Sequence, residues 1–132
     1  MISVLDTNAY SDWCRFGRWN HVISTAEKVL MPSTVIGELW AGFLMGDQFQ
    51  RNAQQLENFL AEPCVEVIPI RLSTAKRYAE FVLQLKTAGT PIPTNDIWIA
   101  AQCFESQGLL VTADLHFQNL PQIARAVEPT NS

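Results

Sequence analysis

Charges, histidines and paired cysteines are all scarce in this chain, and each scarcity sets a class of protein aside. Only 17% of the 132 residues are charged while 48% are apolar, which excludes a disordered chain, since disorder needs many charges and few apolar side chains. Cys14, Cys64 and Cys103 are odd in number and far apart, with no Cys-x-x-Cys. That argues against a disulfide scaffold and suits the reduced thiols of a cytoplasmic protein. With two histidines, His21 and His116, neither His nor Cys forms a cluster of the kind zinc sites use. No apolar run approaches the roughly 18 residues of a membrane span, and the N-terminus lacks the basic start and apolar stretch of a signal peptide. A cytoplasmic protein without membrane association is expected. The net charge of −4 supplies no general basic footprint for nucleic acid, although acids gathered to hold cations would themselves make the count negative. No repeat, low-complexity tract or linker interrupts the chain, so one domain over 1–132 is expected, long enough to bury a core.

What is present alternates. "ISVLD" (2–6) is a continuous, β-branched apolar run, the pattern of a strand buried on both faces. "KVLMPS" (28–33), "CVEVIPI" (64–70) and "LLVTAD" (109–114) predict three more strands, and "RAVEP" (125–129) a short fifth at an edge, closed by Pro129. Helical patterns fill 34–45, 48–61, 73–88 and 95–107. "PST" is an N-cap signal before the first of these, and Gly108 is a C′ residue after the last. The expected fold is α/β, a mostly parallel central sheet of four to five strands flanked by helices. "AGTPIPT" (88–94) adds a geometric constraint. Its extended, proline-containing path spans roughly 20 Å, about the height of the helix before it, so the next helix restarts at the carboxyl edge of the sheet with Asn95 and Asp96 at the top.

Four acids then share that edge. Asp6 ends the first strand, Glu38 lies in the opening turns of the helix after the second, Asp96 lies in the first turn of its helix, and Asp114 comes after "LLVT". Each has an ordinary explanation alone: the helix macrodipole and first-turn capping for Glu38 and Asp96, Asx-type turns for Asp6 and Asp114. Those explanations do not predict convergence. The carboxyl edge of an open α/β sheet is where ligands bind, and carboxylates gathered there repel unless protons or cations intervene. Hard oxygen donors favour Mg²⁺ or Mn²⁺ over zinc.

These residues also carry a resemblance. "DTN" after the first strand, "STVIGEL" followed by Gly42, "NDIWIAA" and "GLLVTADLHF", in this order and spacing, resemble the PIN-domain ribonucleases, and within them the small toxins of VapBC-type toxin–antitoxin pairs, from Ile2 to about Leu120. The resemblance implies a PIN-like fold and metal-dependent endonucleolytic hydrolysis of RNA. It implies Asp6, Glu38, Asp96 and Asp114 as the metal-binding, catalytic acids, with Mg²⁺ or Mn²⁺ as cofactor. It further implies a small antitoxin partner and a homodimer or toxin–antitoxin hetero-oligomer. One departure stands out: many such toxins carry Thr-x-Asn-x-x-Asp-Phe where this chain has the shorter "TADLHF", with Asp114 in place of Asn and His116 near the later Asp.

Thr7, Asn8, Asn95 and Thr112 are placed to hydrogen-bond the acids or a phosphate, and equally to make turns and caps. His116 reads as a surface or packing residue, with a general-acid role as the alternative. The basic residues Arg15, Arg18, Arg71, Lys76 and Arg77 are scattered, as solvated surface charges are. Tyr10, Trp13, Phe16 and Trp19 stand three apart, a stripe that suits core packing, RNA stacking or a partner groove. The helix from Val35 is apolar nearly all round, so it is wholly buried or faces the core on one side and another chain on the other. Trp13, Trp19, Trp40 and Phe43 are therefore expected to include residues lining a groove for an antitoxin helix. Two rivals remain. A haloacid-dehalogenase-type phosphotransfer enzyme also places an Asp after its first strand, but wants a second Asp where Asn8 stands. A degenerate PIN fold serving only for binding would not need all four acids.

Overall fold

Four of the apolar runs become strands of one sheet in the computed structural model, which describes residues 1–127. These are β1 (Ile2–Leu5), β2 (Lys28–Pro32), β3 (Val65–Ile68) and β4 (Leu109–Val111), in the order β3-β2-β1-β4 with every pairing parallel. β1 is internal, with Val4 opposite both Leu30 and Leu110. Consecutive residues Ser3, Val4 and Leu5 are all fully buried, as expected of a strand covered on both faces. The crossovers are helical: α1 (Thr7–Phe16) and α2 (Asn20–Ser24), then α3 (Ser33–Met45) and α4 (Phe49–Leu60), then α5 (Leu72–Ala88) and α6 (Thr94–Ser106). α5 and α6 interlock through aromatic rings, Tyr78 stacked on Trp98 at 3.8 Å and Phe81 edge-on to Phe104 at 5.8 Å. Among the described residues no helix is long and apolar enough to cross a membrane.

Several expectations shift by a few residues, each for a local reason. The strands stop before the polar ends of their runs, because Asp6 and Asp114 leave the sheet to cap the helical turns of the next residues. "PST" does not supply a side-chain cap: Pro32 takes the N-cap position of α3, and the two hydroxyls are engaged elsewhere. Thr34 Oγ1 donates to Gln102 Oε1 at 2.9 Å, while the Gln102 amide donates to Ser33 Oγ at 3.1 Å and to the Ile68 carbonyl at 2.8 Å. A buried carboxamide from α6 thus ties the start of α3 to the end of β3, with its polar atoms satisfied as burial demands. Gly108 is not the left-handed residue after α6; Gln107 is, at φ 58°. Gly108 is needed for closeness instead, since a Cβ there would lie 2.6 Å from Val4 Cγ2. The fifth strand reduces to one parallel bridge, Leu110 with Arg125, framed by 2.8 Å hydrogen bonds from Leu110 N to Ala124 O and from Ala126 N to Leu110 O. Val127 beyond it is 87% exposed, leaving no apolar burial to extend the pairing; Glu128 and Pro129 lie outside the described residues.

The aromatic stripe divides. α1 carries Tyr10, Trp13 and Phe16 and ends at Gly17, φ 70°. Trp19 then adopts a left-handed conformation, φ 69°, and starts α2, a helix absent from the sequence-based expectation. For a bulky side chain that backbone costs about 1–3 kcal/mol, offset here by an indole that is 3% exposed in the core.

Candidate metal centre

Parallel pairing puts the ends of β1 and β4 side by side, Leu5 opposite Val111, with Asp6 N donating to Val111 O. Asp6 caps α1 through Oδ1, which accepts from Ala9 N at 2.7 Å, and Oδ2 accepts from the Thr112 hydroxyl. The same Thr112 oxygen accepts from Asp114 N at 2.9 Å, so one hydroxyl fixes two of the acids. Asp114 in turn caps a 3₁₀ turn, Leu115–Asn119, accepting from His116 N at 2.9 Å. The short 89–93 connection, whose first residues still cap α5, brings in the first turn of α6 and with it Asp96. Glu38, on α3, is held by Thr7 Oγ1 at 2.7 Å and by Asn95 Nδ2 at 3.4 Å. Asn8 is exposed on α1 beside an opening of about 330 Å³ that Asp114, Asp12 and Arg18 also line.

The electrostatics follow from this proximity and from burial. Burial pushes the Asp6 carboxyl up to about 6; Thr112 and the Ala9 amide counter that, and Asp114 and Asp96 add to it by repulsion. Burial likewise raises Asp96, opposed by His116 and reinforced by Asp114 and Glu38. Asp6 and Asp96 thus feel acids from other elements on top of their burial, a charge cost that a cation would relieve. Thr7, Asn95 and Thr112 make hydrogen bonds to the acids, while Asn8 makes none that places it among them.

The sequence favours a surface or packing role for His116, with a general acid as the alternative, and does not foretell its place between two of the acids. Its Nδ1 lies 3.0 Å from Asp96 Oδ2 and 3.1 Å from Asp114 Oδ1, and the contact with both carboxylates raises its pKa. Ligand-type atoms of Asp96, Asp114 and His116 all fall within 4.8 Å of one another. Ligands about 2.1 Å from one octahedral ion sit roughly 3 Å apart when adjacent, so this donor set fits a single small divalent cation. Asp6 and Glu38 lie outside that trio, Asp6 held by Ala9 N and Thr112 and Glu38 by Thr7 and Asn95.

The four residues expected to line a partner groove separate. Trp19 is 3% exposed and packs in the core, at the floor of the opening beside Asn8. Trp13 is half-buried, packed on Phe59 at 5.0 Å and donating to Asn20 Oδ1 at 3.2 Å. Trp40 lies edge-on to Phe49 at 5.4 Å. Phe43 lines an open groove of about 450 Å³ between α1, α3 and α4, with Tyr10, Cys14, Phe16 and Arg51; Phe16 there is 77% exposed.

Comparison with known proteins places the fold. The PIN domain family matches residues 3–123. VapBC2 from Rickettsia felis, solved bound to a DNA fragment from its promoter, superposes with a TM-score of 0.84 at 24% identity, covering 96% of this chain and 98% of that one. VapBC-1 from nontypeable Haemophilus influenzae gives 0.84 at 22% identity, over 96% and 97%. VapC20 from Mycobacterium tuberculosis, a sarcin–ricin loop cleaving toxin, gives 0.74 at 15% identity, over 96% and 99%. No protein of curated function matches the sequence.

Proposed function

Because this chain belongs to the PIN domain family, matched over residues 3–123, we propose that it is a divalent-metal-dependent endoribonuclease and the toxin of a toxin–antitoxin pair. The observation that carries the reading is the convergence of Asp6, Glu38, Asp96 and Asp114 from four separate elements onto one sheet edge. Asp96 and Asp114 would hold Mg²⁺ or Mn²⁺ directly, with Asp6 and Glu38 completing the negative surround. When bound, the cation supplies Lewis-acid polarisation of the phosphodiester and activation of water. The chain's own contribution is positioning. Thr112 and the Ala9 amide hold Asp6, Thr7 and Asn95 hold Glu38, and the exposed Asn8 faces the approach to the acids, where a phosphate or sugar would arrive. Water as the nucleophile leaves a 5′-phosphate and a 3′-hydroxyl with no cyclic product.

The partner reading draws on the neighbours, which include a toxin–antitoxin complex from Klebsiella pneumoniae and a VapBC-family toxin–antitoxin protein from Mycobacterium tuberculosis. An amphipathic helix of a small antitoxin would lay its apolar face along the Phe43–Phe16 groove, and basic side chains would reach the acids and compete with the cation. A homodimer or toxin–antitoxin hetero-oligomer is the expected assembly. The test is cleavage of a structured RNA by the purified protein, with end-group analysis of the products. Metal-dependent cuts bearing 5′-phosphates support the nuclease; 2′,3′-cyclic phosphates overturn this chemistry. Growth arrest on expression, relieved by the adjacent small reading frame, tests the toxin half.

A further inference from the structure

We propose that His116 is itself a ligand of the bound cation, through Nδ1, and that this nitrogen tilts the centre toward Mn²⁺ over Mg²⁺. The inference rests on the metal-dependent reading of the same site and adds a donor that the four acids do not include.

The geometry is specific. A single nitrogen stands 3.0 Å from an oxygen of Asp96 and 3.1 Å from an oxygen of Asp114, carboxylates delivered by two different elements. A simple ion pair requires one such contact, and one N–H points well at only one acceptor. Here the nitrogen faces both at once, at the spacing of adjacent ligands on a shared octahedral ion, roughly 3 Å. Nor does His116 ride on a swinging loop. Its own N–H is tied to Asp114 Oδ1 at 2.9 Å, and the next residue, Phe117, is 1% exposed in the core. The ring is therefore presented to the acids by a turn fixed on both sides.

An imidazole in the set has a chemical consequence. Mg²⁺ strongly prefers oxygen donors, whereas Mn²⁺ and later transition ions accept imidazole nitrogen. An all-carboxylate centre would not separate the two ions by this route; one with His116 in it does.

The experiment is metal binding to the full chain, read two ways: Mn²⁺ and Mg²⁺ affinities by calorimetry, and pulsed EPR of bound Mn²⁺ for coupling to a ligand ¹⁴N. The variants are His116→Gln and His116→Ala, with Asp96→Asn as the control that should abolish the site and melting curves to confirm folding. The parent should show the ¹⁴N coupling and both His116 variants should lose it. Mn²⁺ affinity should fall about tenfold or more in the variants, while Mg²⁺ affinity changes less than about threefold. Mn²⁺ bound by the parent without nitrogen coupling, or equal weakening of both ions, overturns the inference and leaves the nuclease reading standing, with His116 only a counter-charge to two acids. If no divalent ion binds the parent at an Asp96-dependent site, this inference and the metal-dependent reading fall together.

Discussion

Asp6 and Asp114 stand at the ends of neighbouring parallel strands, cap the helical turns that come next, and share the hydroxyl of Thr112, yet they meet different surroundings. Asp6 is 5% exposed, with both oxygens engaged by donors of the chain. Asp114 is partly exposed, with Oδ1 3.1 Å from His116 Nδ1, which in turn contacts Asp96. One half of the site is built like core, the other like a surface recess. On the proposed reading the difference divides labour: the buried half would set charge and geometry, and the open half would receive the cation and substrate. A fully buried quartet would exclude RNA, and a fully exposed one would be screened by solvent until its mutual repulsion meant little.

The sharpest way to break that comparison is to remove the cation. Excess EDTA should abolish RNA cleavage, Mg²⁺ or Mn²⁺ should restore it, and Ca²⁺ should not, because its looser coordination makes it a poorer activator of water. Undiminished cleavage in EDTA would leave the open half without its proposed occupant. Next in size are single acids. Asp96→Asn, in the open half, and Asp6→Asn, in the buried half, should each lower cleavage by more than about a hundredfold. Only Asp96→Asn should also eliminate tight cation binding in calorimetry. Loss of binding from both alike would show that the two halves act as one ligand shell.

Burial of Asp6 also gives a stability prediction. Its folded-state pKa is about 6 against an ordinary 3.8, so the folded chain holds this proton more tightly than the unfolded one does. The associated stabilisation is fully present below about pH 4 and is lost as pH rises through about 6, at most roughly 3 kcal/mol in all. In metal-free protein, Asp6→Asn should therefore melt higher than the parent at pH 7.5 and by a smaller margin at pH 4. Saturating Mg²⁺ should shrink the gap by stabilising the parent's carboxylate. Equal margins at both pH values would mean that Asp6 titrates as a solvated acid.

The parts of this architecture that were readable in sequence are those governed by local pattern. β1 announces itself as a buried strand because Ile2, Val4 and Leu5 put apolar side chains on both faces of "ISVL", and Gly89 with the prolines that follow marks where one helix ends and the helix of Asp96 begins. The parts that were not readable depend on distant partners. Trp19 takes a left-handed backbone because the core rewards burial of its indole, and nothing in "RFGRWN" states that preference. Ser33 and Thr34 look like caps and become partners of Gln102, 69 and 68 residues away. His116 looks solitary because Asp96 is 20 residues upstream; only its position two residues after a capping Asp hinted at a fixed ring.

The finest probe of the two halves is the hydroxyl that joins them. Thr112→Val keeps the side-chain shape and removes the donor to Asp6 and the acceptor for Asp114 N–H. Because the Thr112 bond favours the ionised form of Asp6, its loss leaves a buried carboxylate with one donor fewer. The cost should be about 1–2 kcal/mol of stability at pH 7.5, with the Asp6 midpoint moving further up. Asp114 N–H is near solvent and should recover a water partner at little cost. Cleavage should fall about tenfold, since the acids are displaced rather than deleted. Thr112→Ser retains the hydroxyl and should lose less than about 1 kcal/mol and little activity. The ordering Thr, Ser, then Val, in both melting temperature and rate, is the expected result. If Val matches Ser in both, the hydroxyl does not couple Asp6 to Asp114, and the two halves of the site are held by their strands alone.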